Sequence, residues 1–166
     1  MTTFDVDAHV EESVKTWKYL EERFARRRPV PITLEDQPAL LGQNSFWLID
    51  GAVVPRTSGK GLSLFGTPTT SRHAREKPFS IGSQELTDIE ARIRDLDKFG
   101  IETQIVNSTL LNATLTPDIE FEYALCRAYN SWIHEVCAQS SGRLRWNAMI
   151  RLTHIQMSVE ELRRVA

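Results

Sequence analysis

The sequence predicts an α/β fold in which parallel β-strands alternate with α-helices. Three short segments, 4–10, 101–109 and 143–150, have strand character, and helical periodicity returns after each of them. Strands and helices that alternate in this way build parallel βα units. The chain has 166 residues, whereas a complete eight-fold barrel needs about 250. We therefore expect a partial (β/α)8 TIM barrel, namely its first three βα units with an excursion after strand 1.

The first predicted strand, FDVDAHV at 4–10, alternates apolar and polar residues. The polar positions are Asp5, Asp7 and His9, and the apolar positions are Phe4, Val6, Ala8 and Val10. In a parallel barrel the apolar side would face the helices. Asp7 and His9 would then face the interior near the carboxyl end of the strand, where barrel active sites form. An antiparallel strand with one face in water has the same alternation and stays an alternative.

Residues 13–84 are predicted to be an insertion between strand 1 and helix 1, made of a helix, a β-hairpin and a loop. Helical spacing covers 13–27, and the PVP segment at 29–31 ends it. The hairpin is FWLIDGAVVP, in which Asp50-Gly51 suits a type I′ turn. The SGKG segment in the loop lacks the pattern of a phosphate-binding loop.

The remaining elements follow from periodicity and end signals. An apolar stripe of Leu86, Ile89, Ile93 and Leu96 predicts a helix that Thr87 and Glu90 begin and Gly100 ends. A long helix is predicted with Pro117 in its first turn and with Gly142 as its end. Ser158 with Glu161 predicts the start of a last helix, which has no stop signal before Ala166. We take residues 1–166 to be the N-terminal part of a barrel.

Composition excludes some classes of protein. The net charge of −2 argues against nucleic-acid binding, and no apolar run is long enough for a membrane span. The start of the chain lacks the features of a secretory signal. Cys126 and Cys137 share one predicted helix, roughly 16 Å apart along its axis, too far for a disulfide. Free thiols predict a cytoplasmic protein.

The pair Asp7 and His9 suggests metal binding. Residues two apart on a strand have Cα atoms about 6.6 Å apart, so a carboxylate and an imidazole can lean toward one ion. Oxygen and nitrogen ligands suit zinc or manganese. A buried carboxylate also needs a partner, and a metal ion is an effective one.

Four stretches resemble the amidohydrolase-related family, in its aminocarboxymuconate-semialdehyde decarboxylase-like branch of the amidohydrolase superfamily. DVDAHVEES resembles the family's metal strand, commonly D-x-[HD]-x-H-x-x-E. The others are EARIRDLDKFGIETQIVNST, RAYNSWIHEVCAQSSGRLRWNAMIRL and SVEELRR. Together they cover nearly the whole chain, most weakly across 29–80. No single motif is diagnostic, but their order and spacing are fairly specific.

The resemblance implies a (β/α)8 barrel with one divalent metal ion, zinc first and manganese second. It implies hydrolysis or non-oxidative decarboxylation of a small aromatic or carboxylated substrate. By position, Asp7 and His9 correspond to metal ligands, and Glu12 to a ligand or a supporting acid. Asp7 stands where many members have histidine. The family's further histidine ligand and essential aspartate belong to later strands, so the catalytic residues are unknown here.

Five further residues are candidates for the substrate pocket: Trp17, Asn107, Ser108, Thr109 and His154. Each has a structural alternative, such as a core position for Trp17 or a loop cap for Ser108. The expected partners are a small-molecule substrate and either a second copy or a complementing C-terminal half. The competing hypothesis is a truncated or split, non-catalytic chain that needs a partner with the remaining strands. Activity of this chain by itself is left open.

Overall fold

The computed structural model describes residues 3–33, 45–56 and 80–166. The strands are β1 Phe4–Val10, β2 Val30–Thr33, β3 Ser45–Ile49, β4 Ala52–Pro55, β5 Thr103–Ser108 and β6 Leu144–Trp146. The α-helices are α1 Ile81–Gln84, α2 Ile89–Lys98, α3 Ile119–Ala138 and α4 Ile155–Val165. Short 3₁₀ helices cover Thr16–Tyr19, Glu22–Arg27 and Leu110–Asn112. The SGKG segment and His73 lie outside the described residues.

The main sheet has the order β1-β5-β6, and both of its strand pairs are parallel. This confirms the prediction of an α/β fold with a parallel sheet. The antiparallel alternative for the first strand is wrong, because β1 pairs with β5 in parallel from Phe4 to Val10. All three strands therefore point their carboxyl ends toward the same edge of the sheet.

A bulge in β1 changes which side chains share a face. Asp5 is opposite Gln104, but Ala8 is opposite Val106, so three steps on β1 match two on β5. The predicted common face for Asp5, Asp7 and His9 is therefore wrong for Asp5, which accepts a hydrogen bond from buried Gln104. Strict alternation cannot reveal such an extra residue.

The prediction that the apolar side of β1 faces the helices is also correct for only half of the strand. Ala8 and Val10 are fully buried, whereas Phe4 and Val6 are 60% and 64% exposed. The first half of the strand thus leaves apolar side chains in solvent. The sheet is covered by helices on one face and open over part of the other.

The insertion differs in part from its prediction. Instead of one helix over 13–27, there are two 3₁₀ helices, with Leu20 extended between them. A 3₁₀ turn places residues three apart on the same side, and Trp17 and Leu20 are both buried. The hairpin is confirmed: Asp50 and Gly51 have φ of 49° and 83°, as a type I′ turn requires. An unpredicted strand, β2, pairs with β3.

The helix starts shift relative to the sequence signals. Asp88, not Thr87, caps α2 by accepting a hydrogen bond from the Ala91 amide at 2.9 Å. Helix α4 begins after His154, so Ser158 lies inside it rather than at its start. Gly100 and Gly142 adopt φ of 65° and 83°, which confirms them as helix-ending residues. No helix in the described part of the chain is long and apolar enough to cross a membrane.

The core forms between the sheet, α3 and the insertion. Trp17 and Trp47 meet edge to face with ring centroids 6.0 Å apart, and Phe24 packs on Phe121 at 5.3 Å. Cys126 and Cys137 are both buried and free, as the spacing predicts. Burial raises the pKa of each thiol to about 12, so both remain protonated fillers of the core.

The charged side chain of Arg92, on α2, is buried within this core and only 1% exposed. Its guanidinium donates to Gln104 Oε1 at 2.8 Å, to the Ser83 carbonyl at 3.2 Å and to the His9 carbonyl at 3.1 Å. Burial lowers the pKa of Arg92 to about 10, which still leaves it charged at neutral pH. Arg92 thereby connects α1, α2, β1 and β5.

We predict that Arg92→Met lowers the free energy of unfolding by about 3 kcal/mol, because three buried acceptors lose their donor. Urea-induced unfolding measures the change. The matched control is Arg94→Met on the same helix, whose side chain is 66% exposed. It should change stability by less than about 0.5 kcal/mol. Equal effects of the two substitutions would contradict a joining role for Arg92.

Candidate functional site

His9 lies at the carboxyl end of β1 with its imidazole oriented by the neighbouring strand. Nδ1 is 3.1 Å from the backbone carbonyl oxygen of Ser108. A carbonyl oxygen only accepts, so Nδ1 carries the proton of the neutral ring. Nε2 then has a free lone pair, which is the state that a metal ligand needs. The side chain is 19% exposed.

Asp7 lies beside that free nitrogen. Its Oδ1 is 3.7 Å from His9 Nε2, and its side chain is 90% exposed. The structure therefore brings together the two residues that the sequence predicts as metal ligands. A carboxylate and an imidazole nitrogen at this separation suit zinc or manganese, so the residues present fit two ligands of such a site.

Glu12 is fully buried and faces the loop after β5. One carboxylate oxygen accepts from the Ser108 hydroxyl, and the other accepts from the Leu110 amide at 3.0 Å. The sequence left open whether Glu12 is a ligand or a supporting acid. With both oxygens bonded to residues of β5 and the loop after it, its contacts match the supporting role.

The surroundings of Glu12 change its protonation. Burial raises its pKa from the ordinary value of 4.5 to about 7, against the opposing effect of the hydrogen bonds from Ser108 and Leu110. Tyr129 lies close enough for the Glu12 charge to add to the effect of burial, and its pKa is raised well above 10. Glu12 thus lies in a desolvated region in which it keeps its proton up to near neutral pH.

The predicted pocket residues at the end of β5 have different roles. Asn107 pairs in register with His9 and donates to the Ala8 carbonyl at 3.1 Å. The Ser108 hydroxyl donates to Glu12 and accepts from the Leu111 amide at 2.9 Å. Thr109 Oγ1 is buried and has no hydrogen-bond partner among the described residues. Of the two that belong to β5, Asn107 is the register partner of His9, and Ser108 is the register partner of buried Val10.

The other two pocket candidates lie elsewhere. Trp17 is 1% exposed and packs on Trp47 in the core. His154 is exposed at the start of α4, and its amide and carbonyl both bond to the Tyr123 hydroxyl, at 3.1 and 2.9 Å. The contacts of Trp17 are those of a core residue, and those of His154 involve its backbone.

Sequence reasoning missed Asn147, which follows β6. Its side-chain amide donates to Asn107 Oδ1 at 2.8 Å, and its backbone amide donates to the Val106 carbonyl at 3.1 Å. The sequence carried little signal, because Asn147 falls inside the predicted strand 143–150, whereas the observed strand ends at Trp146. Its contact with Asn107 depends on the parallel pairing of β5 with β6.

A second missed pair ties together the loops at this edge. Arg151 Nη2 lies 2.6 Å from Glu122 Oε1 and donates to the Ala113 carbonyl at 2.6 Å. Glu122 Oε2 also accepts from the Leu115 amide at 3.0 Å. Both charged side chains are largely buried. Arg151 thus joins the loop after β6 to the loop after β5 and to Glu122 of α3.

Two protein ligands, Asp7 and His9, do not make a complete metal site. Across residues 3–33, 45–56 and 80–166, no three side chains of His, Cys, Asp or Glu lie close enough to hold one ion. Zinc sites in enzymes use three protein ligands and an open position. The described residues would therefore supply at most part of such a set.

We predict that Glu12→Gln changes the pH dependence of stability. Between pH 4.5 and about 7 the unfolded chain releases the Glu12 proton while the folded chain keeps it. The free energy of unfolding of the wild type should fall as pH rises through this window, by up to about 1.4 kcal/mol per pH unit. Glutamine does not titrate, so the free energy of unfolding of the variant should rise relative to that of the wild type over the same pH window.

Urea titrations at several pH values measure that difference. The control is Glu90→Gln, which removes a carboxylate that is 91% exposed. Parallel stability curves for wild type and Glu12→Gln would rule out the raised pKa.

Comparison with known proteins shows similarity of fold. The sequence matches no protein-family model and no curated protein. The structure is similar to the crystal structure of amidohydrolase map2389c from Mycobacterium avium subsp. paratuberculosis K-10, with a TM-score of 0.61 and 21% identity. The match covers 99% of this chain and 46% of that chain. The chain thus spans about half the length of a solved amidohydrolase, and its fold is consistent with a partial TIM-barrel-like structure.

Proposed function

We propose that the chain is part of a metal-dependent enzyme of the amidohydrolase superfamily, with Asp7 and His9 as two of the metal ligands. The observation that carries the proposal is the orientation of His9. Its Nδ1–H donates a hydrogen bond to the Ser108 carbonyl, and its Nε2 lies 3.7 Å from Asp7 Oδ1. Hydrogen bonds of this kind orient metal-binding histidines.

The position in the fold supports the same proposal. Asp7 and His9 lie toward the carboxyl end of a parallel strand, the edge at which barrel enzymes carry their active sites. The similar solved structure is described as an amidohydrolase. Fold similarity at 21% identity does not define a reaction, so the proposed chemistry rests on the residues of this chain.

A bound zinc ion, or manganese as the second choice, would supply Lewis acidity toward a substrate oxygen or a water molecule. Asp7 and His9 would hold it. Glu12 would fix the loop after β5 through Ser108 and Leu110 rather than bind the ion. The proposed reaction is hydrolysis or non-oxidative decarboxylation of a small aromatic or carboxylated substrate. The finer assignment, to the decarboxylase-like branch, rests on the sequence resemblance alone.

A second candidate function is that of a split or truncated chain without activity of its own. Two observations favour it: the chain spans 46% of the solved amidohydrolase, and apolar side chains of β1 are exposed. Parallel sheets are normally covered on both faces. A partner with further barrel strands would cover Phe4 and Val6 and could complete the ligand set.

We predict that the purified 166-residue chain binds Zn²⁺ through Asp7 and His9. In calorimetric titration, the double variant Asp7→Asn with His9→Ala should bind at least about tenfold more weakly. The control is His134→Ala, since His134 is exposed on α3 and contacts the Trp146 ring. Equal zinc affinity of the wild type and the double variant would refute the proposed ligands.

Stoichiometry and turnover separate the two candidate functions. A tightly held metal ion in each chain, together with turnover of an aromatic acid by this chain alone, would exclude the non-catalytic alternative. Weak zinc binding that strengthens only when the other half of a barrel is added would support it.

We also predict that the open part of β1 drives association. Val6→Asp should shift the chain toward monomer in sedimentation velocity, because a charge disfavours burial of that surface. Folding should be kept, since Val6 is 64% exposed. The control is Val53→Asp, in the hairpin, where the side chain is 61% exposed. A wild type that stays monomeric at high concentration would contradict the prediction.

A further inference from the structure

Two side chains link β1 and β5 in opposite directions at the candidate site. The His9 ring on β1 donates to the Ser108 carbonyl on β5, and the Asn107 amide on β5 donates to the Ala8 carbonyl on β1. His9 and Asn107 are direct partners in the parallel register. Each bond therefore runs from one strand's side chain to the backbone of the other.

The orientation of the Asn107 amide follows from its contacts. The Ala8 carbonyl can only accept, so the group that faces it is the Asn107 amide nitrogen. Asn107 Oδ1 then faces Asn147, whose amide nitrogen donates to it at 2.8 Å. The result is a directional series of hydrogen bonds, from Asn147 to Asn107 to β1, across the ends of all three strands.

The hydrogen bonds from Asn147 and Asn107 lie next to the bulge in β1. The register shifts between Asp5 and Ala8, directly before His9, and a bulge disrupts the ladder locally. Asn107 bonds to the carbonyl of Ala8, which lies just after the bulge and just before the histidine. Its amide thus adds a side-chain hydrogen bond between β1 and β5 directly after the irregular stretch of backbone pairing.

We propose that Asn107 is a positioning residue for His9 and that Asn147 orients Asn107. Together they hold the end of β1 where Nδ1 of His9 reaches the Ser108 carbonyl, which leaves Nε2 unprotonated. The inference deepens the proposed function and rests on it for its biological meaning, since a free Nε2 matters because it can bind a metal ion. Asn147 joins the site as a residue that the sequence did not suggest.

The tautomer of His9 provides a test without any metal. Neutral imidazole in water favours the proton on Nε2, whereas this geometry requires it on Nδ1. Long-range proton–nitrogen spectra of ¹⁵N-histidine-labelled chain, recorded above the ordinary histidine pKa, distinguish the two forms. The chain has four histidines, and the His9→Ala spectrum identifies the His9 signal.

The expected result is an Nδ1-protonated His9 in the wild type and a shift toward the Nε2-protonated form in Asn107→Leu. Asn107→Gln, which keeps an amide donor, should restore part of the wild-type signal. Asn147→Leu should shift His9 in the same direction by a smaller amount. The control is Asn112→Leu, since Asn112 is exposed on the 3₁₀ helix after β5, and it should leave His9 unchanged.

An unchanged His9 signal in a folded Asn107→Leu chain would overturn the inference, as would an Nε2-protonated His9 in the wild type. If Asn107→Leu fails to fold, the Asn147→Leu variant provides the test, because Asn147 is exposed. An unchanged His9 signal in that variant would then overturn the inference.

Zinc titrations of the same samples separate this inference from the proposed function. Affinity in Asn107→Leu should fall on the order of tenfold. If the tautomer shifts in the variant but the wild-type chain does not bind zinc, the proposed metal site is refuted and the positioning role of Asn107 is still supported. Unaltered zinc affinity despite a tautomer shift would remove the link between the two.

Discussion

The buried guanidinium of Arg92 is the interaction on which the rest of the described structure depends. It bonds to the carbonyls of His9 and Ser83 and to the Gln104 side chain, which in turn donates to Asp5 at 2.7 Å. A buried charge is costly unless its donors are satisfied. The elements that supply these acceptors must therefore be in place together. Arg92 fixes β1 against β5 from the helix side and bonds to the backbone of the residue whose side chain forms the candidate site.

The opposite face of the same strand pair carries the polar groups of the site. The backbone of β1 is bulged just before Ala8, and the side chains of His9 and Asn107 add two hydrogen bonds between β1 and β5. Glu12 secures the following loop by accepting from Ser108 and Leu110 in a desolvated position. The candidate ligands themselves differ in their constraints: the His9 ring is bonded and mostly buried, and Asp7 is almost fully exposed. A ligand set completed by residues outside the described ones would restrain Asp7 as well.

The exposed face of the sheet follows from the same architecture. Parallel strands leave one side for helices, and α2 and α3 cover it in this chain. Phe4 and Val6, together with Leu152 and Ile155 near β6, remain exposed. In a closed barrel such positions border further strands and helices. The chain matches 46% of a solved amidohydrolase, and these exposed apolar residues lie on or next to the three described strands of the parallel sheet.

The sequence by itself determined the α/β class, the parallel order, the hairpin at Asp50-Gly51 and the helix ends at Gly100 and Gly142, and it predicted Asp7 and His9 as metal ligands. These features depend on local periodicity, turn chemistry and spacing within short stretches of the sequence. Only the tertiary structure decided that Asp5 leaves the face of Asp7, that Glu12 bonds to the β5 end, and that Asn147 reaches Asn107. A bulge alters facing without changing the alternation of residues. Contacts between residues 40 to 99 positions apart depend on strand register, which no local pattern encodes.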